Sequence, residues 1–300
     1  MKTLLLILLS FLWHVMLTDA TPVETDSETE GFVGPVRSVV IDTARLLPAR
    51  LRWQQDFRQQ AHIVEWLEES RVRVRTMTYD AQGKLHDTAF YNENGILRWQ
   101  WRYIYTPQGR IQARISTDTG SSPRWTIRYL YDAAGRLQEK LEVAADHSLA
   151  RRWQYLYDAQ GFLVEESNYD SHGALLWQWR YTYNTQGQRV EESNHTANGA
   201  ILWTRRYVYS AHKHLTEEYH YDAAATLLWR RHYIYDTHGN RIEEVLYKGD
   251  GTLQSRWRYT YDAYDTYGNW LQRTAAKWVQ TAELTGFEPV QVTYRTLLYH

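Results

Sequence analysis

The residues here that most resemble acid–base machinery are four pairs of adjacent carboxylates: Glu165–Glu166, Glu191–Glu192, Glu217–Glu218 and Glu243–Glu244. Two carboxylates flanking one bond are what glycoside hydrolysis needs. The residues around them alternate as strands do, however, and neighbours on a strand point to opposite faces. The members of a pair therefore cannot flank one bond, and fourfold recurrence describes a scaffold rather than one focused site. His212, His214 and His220 are the closest imidazoles. His212 and His214 stand two apart in a turn, where solvated histidines are commoner than metal ligands. The chain has no cysteine. It also lacks a G-x-S-x-G elbow, a G-x-G-x-x-G or phosphate loop, and H-E-x-x-H. No catalytic, cofactor-binding or metal-binding residue is assigned, no cofactor is expected, and enzymatic function is not expected.

Binding chemistry is better represented. Trp177, Trp179, Trp203 and Trp229, with Arg180 and Arg206, are candidates for a ligand platform, since rings with a charged fringe suit polar ligands that have apolar faces. The competing reading is structural: the aromatic face is the core and the charges cover the wet side. Fourteen Trp and 24 Tyr stand against six Phe, a bias toward rings that carry a polar handle. A net charge of −1 provides no field to attract nucleic acid or an anionic surface, so no nucleic-acid partner is expected.

These residues are positioned by a repeat. Tyrosine recurs at 79, 105, 131, 157, 183, 209, 235 and 261, always 26 residues apart. Glycine follows four residues later at Gly83, Gly109, Gly135, Gly161, Gly187 and Gly239, often with Asp or Asn directly after the tyrosine. Asp-x-x-Gly is turn chemistry. A second turn falls mid-unit, as in Asn92–Gly95 and Asp170–Gly173. Between turns the residues alternate: Trp177, Trp179, Tyr181 and Tyr183 share one side, and Gln178, Arg180 and Thr182 the other. Each unit is therefore a β-hairpin, and the arginines and glutamates of neighbouring strands can pair across the sheet.

The ends differ. Residues 1–20 carry one lysine, an apolar run from Leu4 to Leu17 and a small residue, Ala20, which reads as a secretory signal peptide. The run is too short for a membrane span of about 20 residues. Residues 21–30 form a polar lead-in, 31–78 an N-terminal capping region, 79–273 the repeats, and 274–300 closing strands. Residues 58–70 fit either a helix or a strand.

The tandem motif, clearest at Tyr131–Gly135, Tyr157–Gly161 and Tyr235–Gly239, resembles the YD repeats of RHS and teneurin-like proteins over residues 72–273. It is closest to the short exported bacterial members of unassigned function, whose tail resembles Tyr267–Trp270 with Val292–Arg295. That resemblance implies strands wound into a β shell. Toxin-bearing relatives are far longer, and residues 274–300 are too few for an enzyme domain. The expectation is an all-β fold: tandem 26-residue hairpins in a long antiparallel meander, forming an open curled sheet or partial shell. The corresponding function is a non-enzymatic exported scaffold or interaction protein of the bacterial envelope, periplasmic or secreted. Its partner would be an unknown envelope or extracellular protein or glycan, with no transmembrane span after signal cleavage. A carbohydrate- or peptide-binding module is the alternative. An outer-membrane barrel or a hydrolase ranks lower, because Glu165 and Glu166 put a charge on both faces of a strand and lipid needs one apolar face.

Overall fold

The computed structural model describes residues 31–51, 64–118, 123–280 and 285–300. The expected signal peptide and lead-in lie outside them, as do residues 58–63 of the helix-or-strand segment. The elements are β1 (Val36–Leu51), β2 (Val64–Glu68), β3 (Val72–Tyr79), β4 (Leu85–Tyr91), β5 (Leu97–Tyr105), β6 (Ile111–Thr117), β7 (Pro123–Tyr131), β8 (Leu137–Ala144) and β9 (Leu149–Tyr157). They continue with β10 (Leu163–Asp170), β11 (Leu175–Tyr183), β12 (Arg189–Thr196), β13 (Ile201–Tyr209), β14 (Leu215–Asp222), β15 (Leu227–Tyr235), β16 (Arg241–Lys248), β17 (Leu253–Tyr264), β18 (Trp270–Gln280) and β19 (Thr285–Tyr299). From Val64 to Glu68 the undecided segment is thus strand.

The sheet is closed, which corrects the expected open curled sheet or partial shell. Strands β3 to β19 pair in chain order, each antiparallel to the next. β1 then bonds on both sides: Val40 lies opposite Thr296 of β19 and opposite Thr76 of β3. Within the described residues, 18 of the 19 strands form one barrel, and β2 pairs only with the far end of β1. Closure removes both sheet edges, whose unpaired backbone groups are the liability of an open sheet.

Turn chemistry explains why the strands end where they do. Asp158 shows the device: its Oδ1 accepts the backbone N–H groups of Gln160 at 3.0 Å and Phe162 at 2.8 Å, and Gly161 takes φ +90°. The same turn closes the other end of the hairpins, as at Asp170. At Asp132 the backbone N–H of Arg136, together with its side chain, holds the carboxyl below its ordinary value of 3.8. Lys213 and Ala225 keep left-handed φ values of 63° and 61° without glycine, so the turn survives at a conformational cost.

The repeating tyrosine has a second duty. Tyr183 Oη donates to the carbonyl of Leu163 at 2.8 Å, next to the bulge between β9 and β10. Tyr105, Tyr131, Tyr157, Tyr209, Tyr235 and Tyr261 make the same bond to the carbonyl 20 residues earlier. Each unit is thereby clipped at the bulge, where the backbone ladder is locally disrupted.

The most apolar core lies where the barrel closes. Phe32, Val36, Val39, Met77, Tyr79, Leu85 and Tyr103 form one buried cluster. The Arg295 guanidinium stacks over Phe32, and the Asn269 side chain bonds both the N–H and the carbonyl of Val33.

Candidate functional site

Alternation gives the barrel two chemically different walls. The outward residues of β11 are Leu176, Gln178, Arg180 and Thr182; the inward ones are Trp177, Trp179, Tyr181 and Tyr183. Arg180 is half exposed and meets Glu165 at 3.4 Å, and Arg206 meets Glu191 at 2.8 Å. Arg102 with Asp87, Arg152 with Glu139, and Arg258 with Glu243 extend this belt of ion pairs round the outer wall. Exposed aliphatic side chains flank the belt: Leu176, Leu202 and Leu228 toward one rim, and Ile104, Leu130, Leu156, Val208 and Ile234 toward the other.

The structure therefore divides the proposed platform. Trp177, Trp179, Trp203 and Trp229 stand on the inner wall, each partly accessible; Arg180 and Arg206 stand on the outer wall. The four tryptophans come together through a residue that sequence reasoning did not include, His220. Ring centroids are 6.1 Å apart for Trp177–Trp179 and 4.8 Å for Trp179–Trp203. They are 5.2 Å apart for Trp203–His220 and 5.0 Å for His220–Trp229. His220 and Trp229 lie nearly parallel, at 17°. The result is a continuous strip of five rings crossing β11 to β15.

A second set of charges borders the strip from inside. Arg205 lies 4.9 Å from the Trp203 ring centre and 5.5 Å from that of Trp229. Arg205 meets Glu192 at 3.6 Å and Glu218 at 3.7 Å. Arg231 joins Glu218 at 3.5 Å to Glu244 at 3.2 Å, and Arg189 and Arg241 terminate the series on Glu192 and Glu244. Tyr233 Oη donates to Glu218 at 3.0 Å. Glu192 and Glu218 are buried, as is Glu243 of the outer belt, but Arg205 of the inner ladder is 13% exposed at its side chain against 50% for Arg180 and 60% for Arg206 outside. The ladder's signal was present in the sequence: Arg205 and Arg231 occupy the 26-residue column that holds Trp153 and Trp179.

No catalytic geometry accompanies the strip. The paired glutamates diverge as strand geometry requires, Glu165 outward and Glu166 inward, where it is buried. Among the described residues, no three His, Asp or Glu side chains are grouped to hold a metal. A hollow of about 230 Å³ is lined by Glu217, Tyr219, Arg230 and Tyr247, and two of these lining residues are bonded to each other, Tyr219 Oη donating to Glu217 at 2.5 Å.

No family model matches the chain, and no curated protein matches it. Among solved structures, the chain is similar to a porin-like protein from Bacteroides uniformis, with TM-score 0.46 and 10% identity over 89% of this chain and 98% of that one. It is also similar to part of a Photorhabdus luminescens Tc holotoxin pore structure, with TM-score 0.23 and 12% identity over 74% of this chain and 16% of that one. A third likeness, to a TcdB2–TccC3 structure, has TM-score 0.22 and 11% identity over 75% and 19%. None is close enough to carry a function across.

Closure corrects several expectations. Membership of the YD-repeat family as an open meander is not upheld: the strands form a barrel, and no family model matches. The expected periplasmic or secreted scaffold with no transmembrane span rested on the signal peptide, the missing catalytic motifs and the charges on both strand faces, and closure into a barrel overturns it. No helix among the described residues is long and apolar enough to cross a membrane, which says nothing of a β-barrel, since membrane barrels cross with strands.

Proposed function

We propose that this protein is a porin-like β-barrel of the bacterial outer membrane, with a lumen that admits small hydrophilic solutes. The observation that carries the reading is closure. Lipid offers no hydrogen-bond partner, so a spanning sheet must pair every strand, and β1 is paired on both sides. A barrel of about 16–18 strands is wide enough for an aqueous channel. Most strands have seven to nine residues, close to the roughly 9–11 of a tilted membrane strand. The two rows of outward aliphatic residues give lipid an apolar surface near each rim.

The outer belt favours a second reading. An arginine facing lipid at mid-depth costs about 2–4 kcal/mol, and pairing with Glu165 or Glu191 offsets only part of this. On the second reading the belt faces water or a polar neighbour, and the interior serves as a cup rather than a pore. Carbonate extraction of expressing cells, followed by planar-bilayer recording of the purified protein, separates the two. The pore reading expects retention in the membrane pellet and stepwise conductance. Release by carbonate together with electrical silence would overturn it and leave the cup.

A further inference from the structure

We infer that Ser193 and His195, on the outer wall of β12, form a nucleophile–base pair that cleaves the acyl esters of membrane lipids. The pair stands on the face opposite the tryptophan strip. Its chemistry is independent of conduction, whereas its lipid substrate rests on the reading that lipid reaches the outer wall.

The geometry is that of an activated serine. Ser193 and His195 are two apart on one strand, so both side chains leave the same face. Ser193 Oγ lies 2.8 Å from His195 Nε2, and His195 Nδ1 lies 3.2 Å from the carbonyl oxygen of Gly199. A carbonyl only accepts, so Nδ1 carries the proton of that bond and Nε2 accepts from the hydroxyl. This is the tautomer a general base needs, with the nucleophile in reach and a third group orienting the imidazole. His195 is buried, while Ser193 keeps part of its surface open.

The arrangement is confined to this repeat. One unit away in each direction, the column of His195 holds Tyr169 and Tyr221, and the column of Ser193 holds Ser167 and Tyr219. Ser167 turns its hydroxyl to Glu165 at 3.1 Å, and Tyr219 turns its own to Glu217. Tyr169 and Tyr221 lie under the guanidinium groups of Arg152 and Arg206. Opposite His195 stands Gln178, whose amide is drawn away to Glu165 and Ser167. A bond serving the scaffold would recur with the units, as the tyrosine clips and the ion pairs do.

The neighbours select the substrate. Arg180 lies opposite Ser193 on one side, and Thr204 on the other. The half-exposed Arg180 guanidinium supplies positive charge beside the serine, where an oxyanion forms and where a phosphate head group would rest. Leu176 and Leu202 follow Gln178 and Thr204 toward the rim on the same wall, and they offer exposed aliphatic surface to an acyl chain. In the reaction, Ser193 Oγ bonds the ester carbonyl carbon while its proton passes to His195 Nε2. The ester C–O bond breaks, and that proton goes to the leaving alcohol oxygen. Water then attacks the acyl-serine, its proton returns through His195 to Ser193 Oγ, and the fatty acid departs.

The test uses the whole purified protein in mixed micelles with dioleoylphosphatidylcholine, with p-nitrophenyl butyrate as a soluble ester and a fluorophosphonate as a serine-directed label. The expected result is fatty-acid release from the phospholipid and labelling at Ser193, located by mass spectrometry. Both should fall about 100-fold or more in Ser193→Ala and in His195→Asn, and change less than about twofold in Ser167→Ala. Circular dichroism of each variant establishes that the barrel has formed. A second variant reads the activation without any substrate, because the chain has no cysteine. Ser193→Cys should be alkylated by iodoacetamide at neutral pH about tenfold faster than Ser193→Cys/His195→Asn. Absence of Ser193-dependent labelling and turnover, or alkylation indifferent to His195, would overturn the inference. Ser193-dependent cleavage of the butyrate alone would overturn the lipid substrate. Membrane retention and conductance with an inert Ser193 would sink the pair and spare the pore; an active Ser193 without conductance would do the reverse.

Discussion

Two stretches of the inner wall solve the same packing problem with opposite materials. At the closure, β1 buries Val36 and Val39 against Met77, Tyr79 and Phe32. Across β12 to β16, the wall instead holds Glu192, Arg205, Glu218, Arg231 and Glu244 beside tryptophans. Apolar contact is nondirectional and can join strands that share no repeat register. An ion ladder needs each partner at a fixed offset, which tandem units supply: Glu192, Arg205, Glu218, Arg231 and Glu244 are each 13 residues apart. The closure therefore holds by burial, and the repeats hold by periodic pairing.

The sharpest way to break the comparison is at the closure. Met77→Ala removes a fully buried side chain and should destabilise the protein by about 2–5 kcal/mol. Guanidinium unfolding followed by tryptophan fluorescence reads the loss. A change below about 1 kcal/mol would show that apolar burial does not hold β1.

The next effect compares the two charge series. Glu218→Ala leaves Arg205 and Arg231 without their shared carboxylate in a buried setting, and should cost about 2–3 kcal/mol, below the range for a fully enclosed pair because Arg231 is partly exposed. Arg206→Ala on the outer belt should cost less than about 1 kcal/mol where water reaches that wall, because its side chain is 60% accessible on the barrel. The same unfolding assay ranks them, and equal losses would erase the distinction between inner and outer walls.

Smaller still is the tyrosine clip. Tyr183→Phe removes the bond to the Leu163 carbonyl and should cost about 1 kcal/mol. Amide exchange should quicken locally at the start of β10, and an unchanged exchange pattern would assign the tyrosine to packing alone.

Much of the wall was legible in the sequence. Strand identity followed from the alternation in Leu175–Tyr183, and turn positions followed from Asp158 with Gly161, because both are set within a few residues. The division of Trp179 from Arg180 is the same period of two. Closure was not legible. It depends on Val36–Arg45 pairing with strands on both sides, one of them more than 200 residues away, and nothing in that segment repeats a column of the hairpins. The strip was half legible: the four tryptophans share a side by alternation, but His220 comes from the companion strand, and only three-dimensional register places it between Trp203 and Trp229. Arg180 and Arg206, the charged fringe, stand on the other side of the wall from those rings, as the alternation along β11 and β13 already requires.

The closed barrel itself can be tested directly, because the chain has no cysteine of its own. Paired substitutions Val40→Cys/Thr296→Cys and Val40→Cys/Thr76→Cys place thiols opposite one another on the two sides of β1. Ser167→Cys/Gln178→Cys does so within a single hairpin as a control. A short bis-thiol cross-linker applied to the folded protein should join all three pairs with similar yield, as read by mass spectrometry. If the hairpin pair cross-links and either β1 pair does not, the sheet is open and the account fails.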